Sequence, residues 1–402
     1  MSDMRLFLLS IFFLLGVSLL SSCTTMLFML RQPLELRPAI HSLTDDLMRQ
    51  LKLRLGITGK AAAIVIGPFA DAETNEAPKV SMEIEAIIVE RSRKVMGIDA
   101  GPMDFENLQK ADYVMSGVIR PEPCEGHARG GTNRCYYVAA SVFNSETAEI
   151  VAHSEVWIFS DQPLDYSYPP MPILRDSPVN IEDSGSAGGS VATANRPVGA
   201  MADKAYFESL KMMSLLTDAE TAYGNADYER SLFLLEKAAQ REDGQLVKTY
   251  AGLYCAYRNL GRMDKAEDAF ARLLTLSVEK NNMLSVKFLF DVDSVKFWRD
   301  PELREQYVIW LRQIGKYFSS SPYCLRIIGH CSHTGSEGYN KGLSLARAHR
   351  IRELLTPYFS DVSRRCEAVG KGFSENIVGS GADDESDAID RRVEFVVTDC
   401  GK

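Results

Sequence analysis

The 402-residue sequence predicts a multidomain α/β chain in which an all-helical segment separates two sheet-containing domains. Three observations carry this. Short apolar runs alternate with helical periodicity through residues 23–175. Residues 204–281 repeat a helical pattern with no strand signal, and residues 282–402 read strand–helix–strand–helix–strand–strand. Hydrophobic residues make up 46% and charged residues 25%, enough to bury cores in each part. The net charge of −9 excludes a dominant basic surface, so nucleic acid is not an expected partner.

Residues 1–22 read as a signal peptide: Arg5 is followed by an apolar run from Leu6 to Leu20, short for a spanning helix. Leu20-Ser21-Ser22-Cys23 resembles the lipobox of bacterial lipoproteins. That resemblance implies diacylation of Cys23 and a lipid anchor, and Thr24, in place of an Asp, implies the outer membrane, facing the periplasm. Several acyl chains anchor stably, at roughly 0.8 kcal/mol per buried methylene.

The first domain, 23–175, opens on a helix with Leu43, Leu47, Leu51 and Leu55 at spacings of four. Ala61 to Phe69 is a strand ended by Gly67-Pro68, and Met82 to Val95 a helix against it. Tyr113 to Ile119 is a further strand. Tyr136–Phe143 and Ile150–Ile158 flank Asn144 to Glu149 as a hairpin. The strand ending in Gly67-Pro68-Phe69, the run Ala111 to Gly117 and the Ser145-Glu146-Thr147 turn resemble the FlgO/CsgG/LpoB-type lipoprotein domain. The resemblance implies an interaction with an unidentified envelope protein partner. Residues 176–203, with Asp183 to Ser190 small and polar, read as a flexible linker.

In 204–281, Ala226-Asp227-Tyr228 and Gly261-Arg262-Met263 begin two corner motifs 35 residues apart. They resemble tetratricopeptide repeats, whose period is about 34. Two such repeats bury little by themselves, so packing on a neighbouring domain or a partner is expected.

In 282–402, Val286 to Phe290 reads as a strand, and Asp300-Pro301 caps a helix carrying Leu303, Tyr307, Leu311, Ile314 and Phe318 on one face. Leu325–His330 is a strand, Ala348, Ile351 and Leu355 mark a helix, and Ala368–Gly370 and Arg392–Val397 are strands. The result is a two-layer βαβαββ domain. Ile328-Gly329-His330-Cys331-Ser332-His333-Thr334-Gly335, then Tyr339-Asn340, Leu343 to Ala348 and Asp390-Arg391-Arg392-Val393-Glu394, resemble the OmpA-like peptidoglycan-binding domain. The resemblance implies that Arg347 grips the carboxylate of diaminopimelate in the peptidoglycan stem peptide and that Asn340 shapes the pocket. An Asp normally receives the ligand ammonium where this chain has Ser332. Losing a charge-assisted bond costs about 1.5–3 kcal/mol, or roughly ten- to hundredfold. Two functions stay open: an outer-membrane lipoprotein that tethers or assembles an envelope complex by binding peptidoglycan, or an interaction scaffold that has lost diaminopimelate.

No Gly-x-Ser-x-Gly elbow, phosphate loop or His-Glu-x-x-His is present, so the chain is read as non-enzymatic and without cofactor. His330, Cys331 and His333 point different ways along a strand end, which argues against a metal. The run Asp383 to Asp387 reads as a solvated loop. Among eight cysteines, Cys124 and Cys135 bracket the Gly-rich stretch Gly126–Gly131, and Cys324 and Cys366 each begin a strand, so the expected disulfides are Cys124–Cys135 and Cys324–Cys366.

Overall fold

Proline has no N–H for a sheet ladder, so Gly67-Pro68 reads as a strand end. In the computed structural model, β1 (Ala63–Asp71) instead continues through the pair. The ladder to its neighbour shifts register between Ile66 and Phe69, a bulge that accommodates the missing donor. The structure describes residues 34–55, 62–96, 98–123, 134–168, 171–178, 187–281, 283–284, 286, 288–384 and 386–400. The predicted signal peptide, Cys23 and Cys124 lie outside the described residues. The chain forms two units, 1–169 with 185–214, and 170–184 with 215–402.

In the first unit the sheet order is β2-β1-β3-β4-β5. β1 runs parallel to β2 (Asp99–Pro102) and to β3 (Tyr113–Glu122), while β3, β4 (Arg134–Asn144) and β5 (Ile150–Ser160) form an antiparallel meander. The edge strand β2 escaped sequence reading because Asp99-Ala100-Gly101-Pro102 carries no apolar alternation. Helix α1 (Leu36–Leu55) buries Leu43, Leu47 and Leu51 with Ile64 and Ile66 on one face of the sheet, joined by Ile84, Ile87 and Ile88 of α2 (Lys79–Arg91).

β4 is buried from Cys135 to Phe143, so the opposite face also needs a cover. Residues read as a flexible linker supply it, which corrects that expectation for 187–203. Helix α3 (Ala187–Ala194) lies on the sheet, where Ser116 donates to the Ser190 carbonyl at 2.9 Å and Ser141 to the Ala194 carbonyl at 3.1 Å. A Cβ on Gly189 would come within 2.6 Å of Tyr206. The small residues there serve close packing, which composition alone does not distinguish from a linker. Beyond them, Tyr206 and Leu210 pack with Val65, Val114 and Phe143.

The second unit holds the helical hairpins and the C-terminal sheet together. The division between units falls within α4 (Lys204–Gly224), and α5 (Tyr228–Ala239), α6 (Val247–Asn259) and α7 (Met263–Asn281) pack in succession. The predicted corners hold: Ala226 and Gly261 have φ of 60° and 70°, and the Asp227 carboxylate caps α5 by accepting from the Arg230 N–H. α8 (Pro301–Ser320) is capped by Asp300 as expected, with Pro301 in its first turn. Its Trp310 is 1% exposed and lies against Tyr254 of α6 and Phe270 of α7, with ring centroids 6.3 and 5.9 Å away. The indole donates to the Tyr254 hydroxyl, which donates to Gln306, so this buried polar chain is satisfied. The boundary drawn between 204–281 and 282–402 therefore does not separate two compact units; one shared aromatic core spans it.

The C-terminal sheet has the order β6-β9-β7-β8. β6 (Met283–Leu284) and β7 (Tyr323–Gly329) pair antiparallel with β9 (Val393–Asp399), and β8 (Cys366–Gly370) runs parallel to β7. The expected strand over Val286–Phe290 is corrected. Val286, Phe288 and Phe290 are buried, but among the described residues of the run Val286 and Phe290 make bridges outside any strand, the latter to Phe297, and Phe288 and Leu289 make none. The expected Cys324–Cys366 disulfide is corrected as well. Cys366 is in register with Leu325, and successive strand residues face opposite sides, so Cys324 turns away from it. Cys324 pairs instead with Cys400 just beyond β9, with Cα atoms 5.1 Å apart, and Cys366 is a free buried thiol whose pKa burial pushes up to about 12. Cys135 is disulfide-bonded.

Candidate functional site

At the ends of β7 and β8, Gly329 and Gly370 stand in register, and α9 (Glu337–Leu355) crosses directly over them. A Cβ on Gly329 would lie 2.0 Å from the Ser344 carbonyl oxygen, and one on Gly370 2.6 Å from the Leu345 nitrogen. Bare backbone at both positions lets the helix sit against the strand ends and brings Arg347 beneath three loops. They are residues 290–294, 330–336 and 371–384.

Arg347 is fully buried. Its Nε donates to the Ser294 carbonyl at 2.9 Å, Nη1 to the His330 carbonyl at 2.9 Å, and Nη2 to the Asp291 carbonyl at 3.0 Å. The guanidinium also covers the Phe290 ring at 5.4 Å. Burial pushes the Arg347 pKa down from its ordinary value and the like charge of Arg391 adds to this, while Asp383 and Asp293 oppose it. Tyr339, in the first turn of α9, donates its hydroxyl to the Asp293 carboxylate beside this loop. Asn340 donates to the Thr334 carbonyl at 2.5 Å and the Ser336 carbonyl at 3.1 Å, closing the loop against the helix start.

Ser332, 4% exposed, donates to Asp383 Oδ1 at 2.6 Å. Thr334 donates to Asp383 Oδ2 at 3.0 Å, and Arg391 Nη1 to Oδ1 at 2.7 Å. Arg391 is 1% exposed, lies over Trp298 at 5.4 Å and donates through Nε to the Phe290 carbonyl. The structure thus brings Ser332, Asn340 and Arg347 into one cluster, but it places Asn340 and Arg347 on backbone carbonyls. It adds Asp383, Arg391, Asp293 and Tyr339, which sequence reading did not assign to the site.

The acidic run is a solvated face only in part: Asp384 is exposed and Asp383 half-buried, but Asp387 turns inward. Asp387 is buried and accepts from the Ser380 N–H and hydroxyl and the Asp383 N–H. Asp390 is buried and accepts from the N–H groups of Ile377, Val378 and Gly379. These carboxylates fold the 376–390 segment back onto the site. Its acids at 383, 387 and 390 could have been read as turn formers, since Asp side chains readily accept from nearby backbone N–H groups.

Behind the site, buried His330 lies 3.4 Å from Glu394, and Arg392 Nε donates to Glu394 at 2.6 Å. Burial works against the Glu394 charge, but His330 and Arg392 outweigh it and hold its pKa at about 2, below the ordinary 4.5. A depressed carboxylate pKa contributes stability that is complete above pH 4.5 and lost as the pH falls toward 2. Glu394→Gln is therefore expected to flatten acid unfolding of the second unit across that window. Parallel curves for variant and parent in a pH-dependent urea titration would contradict the assignment. Among the described residues, no group of three or more His, Cys, Asp or Glu is placed to hold a metal.

The sequence of this part of the chain matches known proteins. Residues 299–389 match the model of the OmpA family, so the C-terminal part of the chain carries an OmpA-like domain. Over 115 residues the chain is 32% identical to outer membrane porin F of Pseudomonas aeruginosa, across 28% of this chain and 30% of that protein. The chain thus spans less than a third of the length of that curated relative. Among solved structures, it is similar to the peptidoglycan-associated lipoprotein from Burkholderia pseudomallei at 28% identity, over 28% of this chain and 89% of that one, with a TM-score of 0.23. It is also similar to the cell wall anchor of the T6SS from Pseudomonas aeruginosa at 22% identity, over 31% and 94%, with a TM-score of 0.24.

Proposed function

We propose that this protein is an envelope lipoprotein that holds peptidoglycan non-covalently through its OmpA-like domain and performs no chemistry of its own. The observation that carries the reading is the convergence of Arg347, Ser332, Asn340 and Arg391 at the head of α9, within the segment that matches the OmpA family. Its ligand is the diaminopimelate end of the stem peptide. The lipobox-like sequence before Cys23 supports a lipid anchor on the outer membrane, facing the periplasm. The disulfide Cys324–Cys400 suits an oxidising compartment. The FlgO/CsgG/LpoB-like first domain engages an envelope protein partner, and the tetratricopeptide-like helices, packed on Trp310, present their outer face to it.

One observation favours the second reading, a scaffold that has lost its wall ligand: three donor nitrogens of Arg347 are committed to backbone carbonyls. Co-sedimentation of the full-length chain with purified sacculi separates the two. The first reading expects saturable binding that excess muropeptide competes away; a folded protein left in the supernatant supports the scaffold. In cells, the mature form should carry acyl chains on Cys23, read by intact mass.

A further inference from the structure

The serine at position 332 is hydrogen-bonded to an acid from 51 residues further along the chain. We propose that Asp383 supplies the anionic half of the ligand site, so that Ser332 and Asp383 together receive the ammonium of a zwitterionic α-amino carboxylate beside the guanidinium pair of Arg347 and Arg391. This deepens the wall-binding reading and rests on it.

Five features of the site support the assignment. A serine hydroxyl has one proton, and Ser332 directs it to Asp383, so its oxygen meets a ligand as an acceptor backed by a carboxylate. An ionised carboxylate offers about four acceptor positions. Ser332, Thr334 and Arg391 occupy three of those on Asp383, and Oδ2 accepts from Thr334 alone among these three donors. The Asp383 side chain is 21% exposed, whereas Arg391 beneath it is 1% exposed, so Asp383 is the member of this ion pair that solvent reaches.

Asp383 also holds a φ of 58°, a left-handed conformation uncommon for a residue with a side chain. Buried Asp387 pins it there by accepting the Asp383 N–H at 2.8 Å. Two cations and two acids gather here: Arg391, Asp383 and Asp293 each act on the charge of Arg347, and Arg391 pairs with Asp383 at 2.7 Å. Their formal charges cancel. A ligand bearing both an ammonium and a carboxylate keeps that balance, while a lone anion or cation upsets it.

The test uses the full-length protein, purified sacculi, and a soluble muropeptide ending in diaminopimelate. Asp383→Asn keeps the side chain's shape and an acceptor oxygen but removes the charge. It is expected to weaken muropeptide binding roughly ten- to hundredfold. Ser332→Asp combined with Asp383→Asn returns the charge one hydrogen bond away and is expected to recover most of the loss, which a merely misfolded loop would not do. Parent binding that is unchanged by Asp383→Asn overturns the role of Asp383 and leaves wall binding standing. Loss on Asp383→Asn with no recovery in the double variant overturns it too. Failure of the parent itself to bind overturns the wall-binding reading, and this inference with it.

Discussion

Arg347→Ala is expected to destabilise the second unit by about 4 kcal/mol, with no ligand present. The guanidinium is fully buried and ties together three carbonyls, those of Asp291, Ser294 and His330, from two separate loops. Alanine removes the donor from the buried His330 carbonyl and from the part-buried carbonyls of Asp291 and Ser294, at ~1–3 kcal/mol for a fully buried acceptor and less for the other two, and opens a cavity over Phe290. Water entering that cavity offsets part of the sum, which keeps the expected total near the lower end. Arg347→Lys keeps the charge and a subset of the bonds, so it should lose clearly less. Urea unfolding of the full chain in a Trp157→Phe background reads this directly, because Trp298 and Trp310 both lie in the second unit. A shift below about 1 kcal/mol would show that the carbonyl contacts are not what holds these loops. The same result bears on function. Loss of sacculus binding in Arg347→Ala does not by itself identify a ligand contact, since the loops that frame the site lose their tie; Asp383→Asn is the cleaner probe.

Opening the Cys324–Cys400 disulfide is expected to cost about 4–5 kcal/mol. The bridge spans a sequence separation of 76, and in the chain-entropy account closing a loop of that length removes about this much from the unfolded state. The loop encloses β7, α9 and β8, and the bond fastens β9 beside β7 at the centre of the sheet. Cys400→Ser, or reduction of the parent, should lower the second-unit midpoint while leaving the first unit unchanged. Cys366 is not expected to rescue the reduced form. It faces the other side of the sheet from Cys324, and at neutral pH its buried thiol is almost wholly protonated, hence a poor nucleophile. Equal midpoints for parent and Cys400→Ser would mean the bridge contributes nothing to the folded state.

Much of the fold was legible before any coordinate, where the signal is short in range. The corners at Ala226 and Gly261, the Asp227 and Asp300 caps, Pro301 in a first turn and the apolar faces of α1 and α8 each depend on residues within a turn or two of one another. The loop that gathers Ser332, Asn340 and the start of α9 was legible for the same reason: it is one contiguous stretch with a recognisable pattern. By itself, then, the sequence determined most of the strand and helix alternation, though not edge strand β2 or helix α3, and the position of the candidate site.

The tertiary structure alone decided what each of those residues touches. Ser332 meets Asp383 across 51 residues, Cys324 meets Cys400 across 76, and Arg347 spends its donors on carbonyls 17, 53 and 56 residues away. Strand pleat sets on which side of the sheet Cys324 emerges, and that parity is not written in the spacing of cysteines. The small residues of α3 have the composition of a linker, and only a sheet face left uncovered by its own strands draws them into a packed helix. Asp383 likewise looks like one charge among several until Asp387 and Asp390 fold its loop inward. Local propensity is encoded in neighbours, whereas long-range partners are chosen by which surfaces remain unsatisfied once the elements have packed.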